Sequence, residues 1–285
     1  MTARLFLLSI LGLATSLLAK PTVIASNYPL AFFTEEIGGD LVEIVTLYPE
    51  DSDPAFWKPK DEDIQKLQQA DLLVFNGAKY ERWTNKVSLD EDKIVDTSFT
   101  FRNRFIEEKD GELHSHGAQG EHRHYNTAFT TWLAPSNAAT QARAILDGLV
   151  ELLPEHKEQL SENELTLRKS LLKLSSQLSE KLEPYRNKTI VTSHPVYQYL
   201  AQNNSLNKVN ALHWEPDMKL AKEDLDELKS HAPVALFIWE AEPSAENKKL
   251  IAPLVEKQIV FSPLATKPDE GDFLSVMEKQ IEAID

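Results

Sequence analysis

Four of the chain's eight histidines fall within eleven positions, as His114-Ser115-His116 and Glu121-His122-Arg123-His124. Imidazole is a borderline ligand that suits zinc, copper or nickel, and dense histidine tracts bind such ions. Alternation in an extended backbone puts two rings of each cluster on one side. A second signal is Thr192-Ser193-His194-Pro195-Val196, where a predicted strand gives way to a predicted helix. Ligands gather at the carboxyl ends of strands in parallel α/β sheets, which places His194 toward an interdomain cleft. Trp239-Glu240 ends another predicted strand. Glu240 is a candidate for the same cleft, either as an oxygen ligand or as a partner that orients one. His213-Trp214-Glu215-Pro216-Asp217 is a polar loop with the same two readings. Each signal has a structural alternative: a solvated loop, a capping histidine or a helix-flanking carboxylate.

The chain contains no cysteine, so disulfides, thiol catalysis and thiolate ligands are excluded. A metal would be held by His, Asp, Glu or neutral oxygen. The candidates are mostly nitrogen donors, which favours Zn2+; Mn2+ is the alternative and takes more oxygen. Catalytic signatures are absent. There is no His-Glu-x-x-His helix, no Gly-x-Ser-x-Gly elbow and no phosphate-cradling glycine loop, and glycine totals 9 residues. A formal net charge of −15 repels nucleic acid and draws in cations. The expectation is a binding protein, not an enzyme.

These residues need a scaffold. Met1 to Ala19 reads as a secretory signal peptide, with Arg4 before the apolar run Leu5 to Leu18, so a mature chain is expected to start near Lys20 and to be soluble in the periplasm. Apolar strands at 21–25, 44–48, 72–75 and 93–96 alternate with helices at 29–37 and 61–69, the pattern of a mainly parallel sheet. Residues 101–125 break this rhythm and read as a long, mobile, histidine-rich loop, assigned to 110–126. A helix from Pro135 to Leu153 follows. Leu167, Leu171, Leu174, Leu178 and Leu182 then mark a helix from about Glu155 to Glu183, stopped by Pro184. At 1.5 Å per residue it spans roughly 40 Å, a rigid spine that predicts limited motion between the halves. Strands at 189–192, 234–239 and 258–261 then alternate with helices at 196–202, 221–230, 245–257 and 272–283. The predicted fold is two similar α/β lobes with mainly parallel sheets joined by one long linking helix. Its divisions are an N-terminal lobe over 20–153, the linking helix over 154–184 and a C-terminal lobe over 185–285.

Several short motifs then bear on function by their order and spacing. They are Asn27-Tyr28-Pro29-Leu30, Glu36-Ile37-Gly38-Gly39-Asp40, Ala70-Asp71-Leu72-Leu73-Val74-Phe75-Asn76-Gly77, Thr131-Trp132-Leu133-Ala134-Pro135-Ser136-Asn137 and Ser193-His194-Pro195-Val196-Tyr197. Over nearly all of the mature chain the sequence resembles the zinc- and manganese-specific substrate-binding proteins of ABC importers. The resemblance implies a metal held in the cleft between the lobes, delivery to the membrane permease of an ABC importer, and no catalysis. The family usually places ligands where this chain has Ala55, Thr130, His194 and Ser262, and only His194 matches. The expected replacement set is His122 and His124 from the loop with His194 and Glu240, with His116 and His114 assisting capture. The alternatives are a periplasmic metal chaperone or buffer, and a metal-free interaction protein that has lost its cleft ligands. A monomer is expected, with no nucleic-acid partner.

Overall fold

The structure, a computed structural model, describes residues 19–49, 52–107, 127–215 and 218–284, and the backbone of 113–115 and 121–123. The expected signal peptide, apart from Ala19, lies outside the described residues. In the first lobe β1 (Thr22–Ala25) leads into α1 (Tyr28–Gly38), followed by β2 (Glu43–Val45), α2 (Asp61–Gln69), β3 (Leu72–Phe75) and β4 (Ile94–Asp96). The strands form a parallel sheet in the order β2-β1-β3-β4. β3 is buried at all four positions, as an apolar run covered on both faces should be. Asn27 caps α1, its side chain accepting from the Leu30 amide at 3.0 Å, and Pro29 sits in the first turn where no amide is needed. After β3 the chain turns at Gly77, with φ of 74°, and a Cβ there would lie 2.0 Å from an Asp96 carboxylate oxygen. Only glycine meets both demands.

The histidine-rich segment differs from the expected loop. β5 (Leu113–Ser115) and β6 (Glu121–Arg123) pair antiparallel, with His114 directly opposite His122, and a bridge between Glu107 and Thr127 closes the base. The polar composition of the strands hid them from a reading based on apolar alternation.

α3 (Pro135–Leu152) and α4 (Lys157–Leu182) come next. α4 has 26 residues, and Leu160, Leu167, Leu171, Leu174, Leu178 and Leu182 form its buried stripe. In the second lobe β7 (Thr189–Thr192), α5 (Gln198–Asn203), β8 (Val209–Ala211), α6 (Lys222–Ser230), β9 (Val234–Trp239), α7 (Ala245–Ile251), β10 (Gln258–Val260) and α8 (Phe273–Glu282) build a second parallel sheet, ordered β10-β9-β7-β8. β8 was not anticipated, because three residues with a polar centre give too short a pattern. α7 stops six residues short of the predicted Lys257, since Pro253 lacks the amide that a further turn needs.

α4 packs on α1 and α3 of the first lobe and on α8 of the second. One apolar core therefore runs through both lobes, including Leu30, Trp132, Leu171, Leu174 and Phe273. The Phe33 and Phe273 rings meet edge to face at 5.0 Å across the junction. Several hydrogen bonds also cross it. Tyr28 N donates to Ala265 O at 3.1 Å, Trp132 Nε1 to Pro263 O at 2.6 Å, and the Tyr199 hydroxyl to Ala128 O at 2.9 Å. Among the described residues no helix is long and apolar enough to cross a membrane.

Candidate functional site

Three adjacent strands of the second sheet, β9, β7 and β8, end side by side. The residues just past their carboxyl ends are Glu240, Ser193-His194, and His213 to Glu215. Ser193 ties these ends together. Its amide donates to Ile238 O at 2.8 Å, its hydroxyl accepts from the Glu240 amide at 3.0 Å, and its carbonyl accepts from the Trp214 amide at 2.9 Å. The Thr192 hydroxyl donates to His194 O at 2.8 Å, which fixes the backbone as it leaves the sheet. Beneath, Trp214, Phe237 and Trp239 stack with ring centroids 4.7 to 6.0 Å apart and give the ends an immobile apolar floor.

His194 is buried, with 4% of its surface exposed, and its ring lies between two carboxylates. Nδ1 is 3.4 Å from Glu240 Oε1, and Nε2 is 3.9 Å from Glu215 Oε1. The His213 ring packs edge to face on His194 at 6.1 Å. Two partly buried carboxylates around one imidazole make a locus that favours a cation. Among the described residues no three His, Asp or Glu side chains are grouped so that they hold a metal ion together. The imidazole explains this. Its two nitrogens point to different sides, so Glu240 and Glu215 do not face one common point through the ring.

The structure brings His194 and Glu240 together. Of the histidine-rich segment, His114 and His122 are placed only by their backbone register, while His116 and His124 lie outside the described residues. Glu215 and His213 were legible as a polar loop, but the strand that delivers them was not.

The three substituted positions supply no nitrogen or carboxylate. Ala55 is buried in the turn Pro54–Phe56, where its amide donates to the Asp53 side chain at 2.9 Å. Thr130 is buried and its hydroxyl donates to Val196 O, two residues beyond His194. The Ser262 amide donates to Gln280 Oε1, and its hydroxyl accepts from the Leu264 amide at 3.2 Å. Beside the first two positions, the Arg82 guanidinium lies over the rings of Phe56, at 5.5 Å, and Phe129, at 5.4 Å. The surroundings of Ala55 and Thr130 are therefore aromatic and cationic.

A polar network that sequence reasoning missed holds the Phe129 to Thr131 segment in place. Asn76 Nδ2 donates to Phe129 O at 2.9 Å, while Asn76 Oδ1 accepts from the Thr131 hydroxyl at 2.8 Å and from Gln141 Nε2 at 3.0 Å. The Asn76 and Gly77 amides donate to the two carboxylate oxygens of buried Glu81, at 2.6 and 3.1 Å. Burial raises the Glu81 carboxyl from its ordinary 4.5 to about 7, and hydrogen bonds from Ser26, Asn76 and Gly77 offset only part of that. A raised folded-state value means the folded chain binds a proton that the unfolded chain releases. This contribution to stability is complete below about pH 4.5 and is lost as pH rises to about 7, roughly 3 kcal/mol in all. Glu81→Gln is expected to remove that slope. Urea unfolding from pH 5 to 8 checks it, and an unchanged slope would refute the assignment.

The family model of ZnuA, the periplasmic zinc-uptake complex component A, matches residues 23–285. The zinc-binding lipoprotein AdcA of Streptococcus pneumoniae R6 is 26% identical over 279 residues, covering 93% of this chain. This chain spans 55% of the length of that relative. The high-affinity zinc uptake system protein ZnuA of Bacillus subtilis is 26% identical over 232 residues, with 78% of this chain and 70% of the relative covered. The Zn(II)-bound ZnuA-like domain of S. pneumoniae AdcA superposes with a TM-score of 0.76 at 24% identity, over 93% of this chain and 98% of that one. At that identity the superposition establishes the fold.

Proposed function

Since the chain belongs to the family of ZnuA, the periplasmic zinc-uptake complex component A, we propose that it captures Zn2+ between its lobes at His194 and passes it to the membrane permease of an ABC importer. It is a transport component and not an enzyme. The observation that carries the reading is the buried His194 ring at the end of β7, set between carboxylates by a rigid backbone. Imidazole and carboxylate are zinc donors at ~2.0–2.2 Å. His122 and His124, with His116 assisting, complete the set from the histidine-rich segment, and Glu240 supports it. The register that sets His114 opposite His122 favours this, because it brings two histidines to one level of the hairpin.

Relatives named for zinc support the choice of metal, and Mn2+ is the competitor to include. Equilibrium titration of the full chain with each ion tests the proposal. One equivalent of Zn2+ bound tightly, weakening as pH falls because protons compete for the ring nitrogens, is the expected result. A chain that takes up no Zn2+ at neutral pH would point instead to a metal-free interaction protein, the reading that Ala55, Thr130 and Ser262 favour. Uptake by vesicles carrying a cognate permease separates a carrier from a periplasmic metal chaperone or buffer.

A further inference from the structure

One buried carboxyl fastens a strained turn to the segment that joins the lobes. We propose that Glu81 is a proton-held latch: its protonated side chain keeps the turn after β3 and the Phe129 to Thr131 segment in place, and its ionisation releases both together. The inference stands apart from zinc capture and is tested on the metal-free chain.

Three consecutive residues after β3 have positive φ: Gly77 at 74°, Ala78 at 50° and Lys79 at 62°. Glycine adopts that region freely. Alanine and lysine are strained there and stay only where their surroundings hold them. Glu81 supplies that hold. Its two oxygens accept from the Asn76 and Gly77 amides, at 2.6 and 3.1 Å, where the chain enters the turn. Asn76 passes the restraint on, since its side chain bonds Phe129 O and the Thr131 hydroxyl. Between those residues the Thr130 hydroxyl donates to Val196 O, and just beyond them the Trp132 indole donates to Pro263 O. The segment thus reaches the second lobe at two points, and one carboxyl restrains both a sprung turn and the seam between the lobes.

The proton decides how well the latch fits. Glu81 is buried, and a neutral carboxyl suits that place because the Ser26 hydroxyl beside it can turn from donor to acceptor. The titratable and charged groups around it are Tyr80 and Arg82 on its own turn and Asp96 on β4, whose carboxylate lies against Gly77. Asp53 and Tyr48 face Tyr80, and the Arg82 guanidinium lies over the Phe56 and Phe129 rings. Burial outweighs the hydrogen bonds and pushes the Glu81 carboxyl up to about 7. An opening that lets the group reach water returns it to its ordinary 4.5, so the closed form holds the proton and the open form releases it. The open form therefore gains population as pH rises, on the order of a hundredfold between pH 5 and pH 8.

Hydrogen exchange of the full metal-free chain tests the latch, read as protection factors so that the intrinsic effect of pH is removed. Peptides spanning 74–82 and 127–134 are expected to lose protection together, on the order of a hundredfold from pH 5 to pH 8, and to exchange faster than the buried stripe of α4. Glu81→Gln, which stays neutral, should keep both at their low-pH protection throughout. If that variant fails to fold, the 13C carboxyl shift of Glu81 in the unsubstituted chain carries the test. A midpoint near 7 is expected there, and one below about 5 would overturn the latch. Loss of protection at 74–82 alone would overturn the link to the seam. Exchange of both segments only at the rate of α4, through unfolding of the whole chain, would overturn a local release. None of these outcomes involves Zn2+, so the latch and zinc capture stand or fall separately.

Discussion

His194→Ala abolishes tight zinc binding while the apo chain stays folded: that is the largest functional effect expected of any single substitution here. Among the positions that the resemblance marks as ligands, His194 alone keeps a nitrogen donor. Zinc sites of four ligands have apparent binding free energies of ~10–16 kcal/mol, or about 2.5–4 kcal/mol per ligand if divided evenly. Losing one imidazole then weakens the ion on the order of a hundredfold to a thousandfold. The cost to the apo fold is far smaller, because Ser193, rather than His194, joins the strand ends. Competition titration against a chelator of known affinity, paired with urea unfolding of the metal-free protein, separates the two effects. A variant that keeps wild-type affinity would show that zinc binds elsewhere.

The largest structural effect is expected at Trp132. The residue is fully buried, meets Tyr80 edge to face at 5.6 Å, and donates its indole N–H to Pro263 O in the other lobe at 2.6 Å. Trp132→Ala removes the side chain from the shared core and is expected to cost about 3–5 kcal/mol. Trp132→Phe keeps most of the packing but leaves the Pro263 carbonyl without its donor, at about 1–3 kcal/mol. Chemical denaturation of both variants gives the comparison. Equal losses would mean that the hydrogen bond dominates, and a loss below about 1 kcal/mol in the Ala variant would show that the junction is looser than it looks.

How much of this was legible in the sequence depends on the size of each pattern. α4 stood out because five leucines, from Leu167 to Leu182, repeat at helical spacing. β3 stood out because four consecutive apolar residues end at Asn76-Gly77. His194 was placed correctly because the end of a buried strand and the entry to a helix are both local signals. Glu215 was not, since it depends on β8, whose three residues Val209-Asn210-Ala211 form a strand only through pairing with β7. The network of Glu81, Asn76, Thr131 and Gln141 joins residues up to 65 positions apart, and no local pattern announces such contacts. The hairpin at 113–123 was missed for a related reason: register between two polar strands is a property of the pair.

The continuous core beneath the lobes limits how far they can move apart. A helix that is shared by both halves, and bonds such as Trp132 to Pro263 that stitch them together, forbid the wide jaw-like opening by which many carriers load and unload. Under the proposed zinc-capture role, filled and empty molecules would present nearly the same silhouette, and a permease that told them apart would have to sense small side-chain shifts near His194 and not a change of shape.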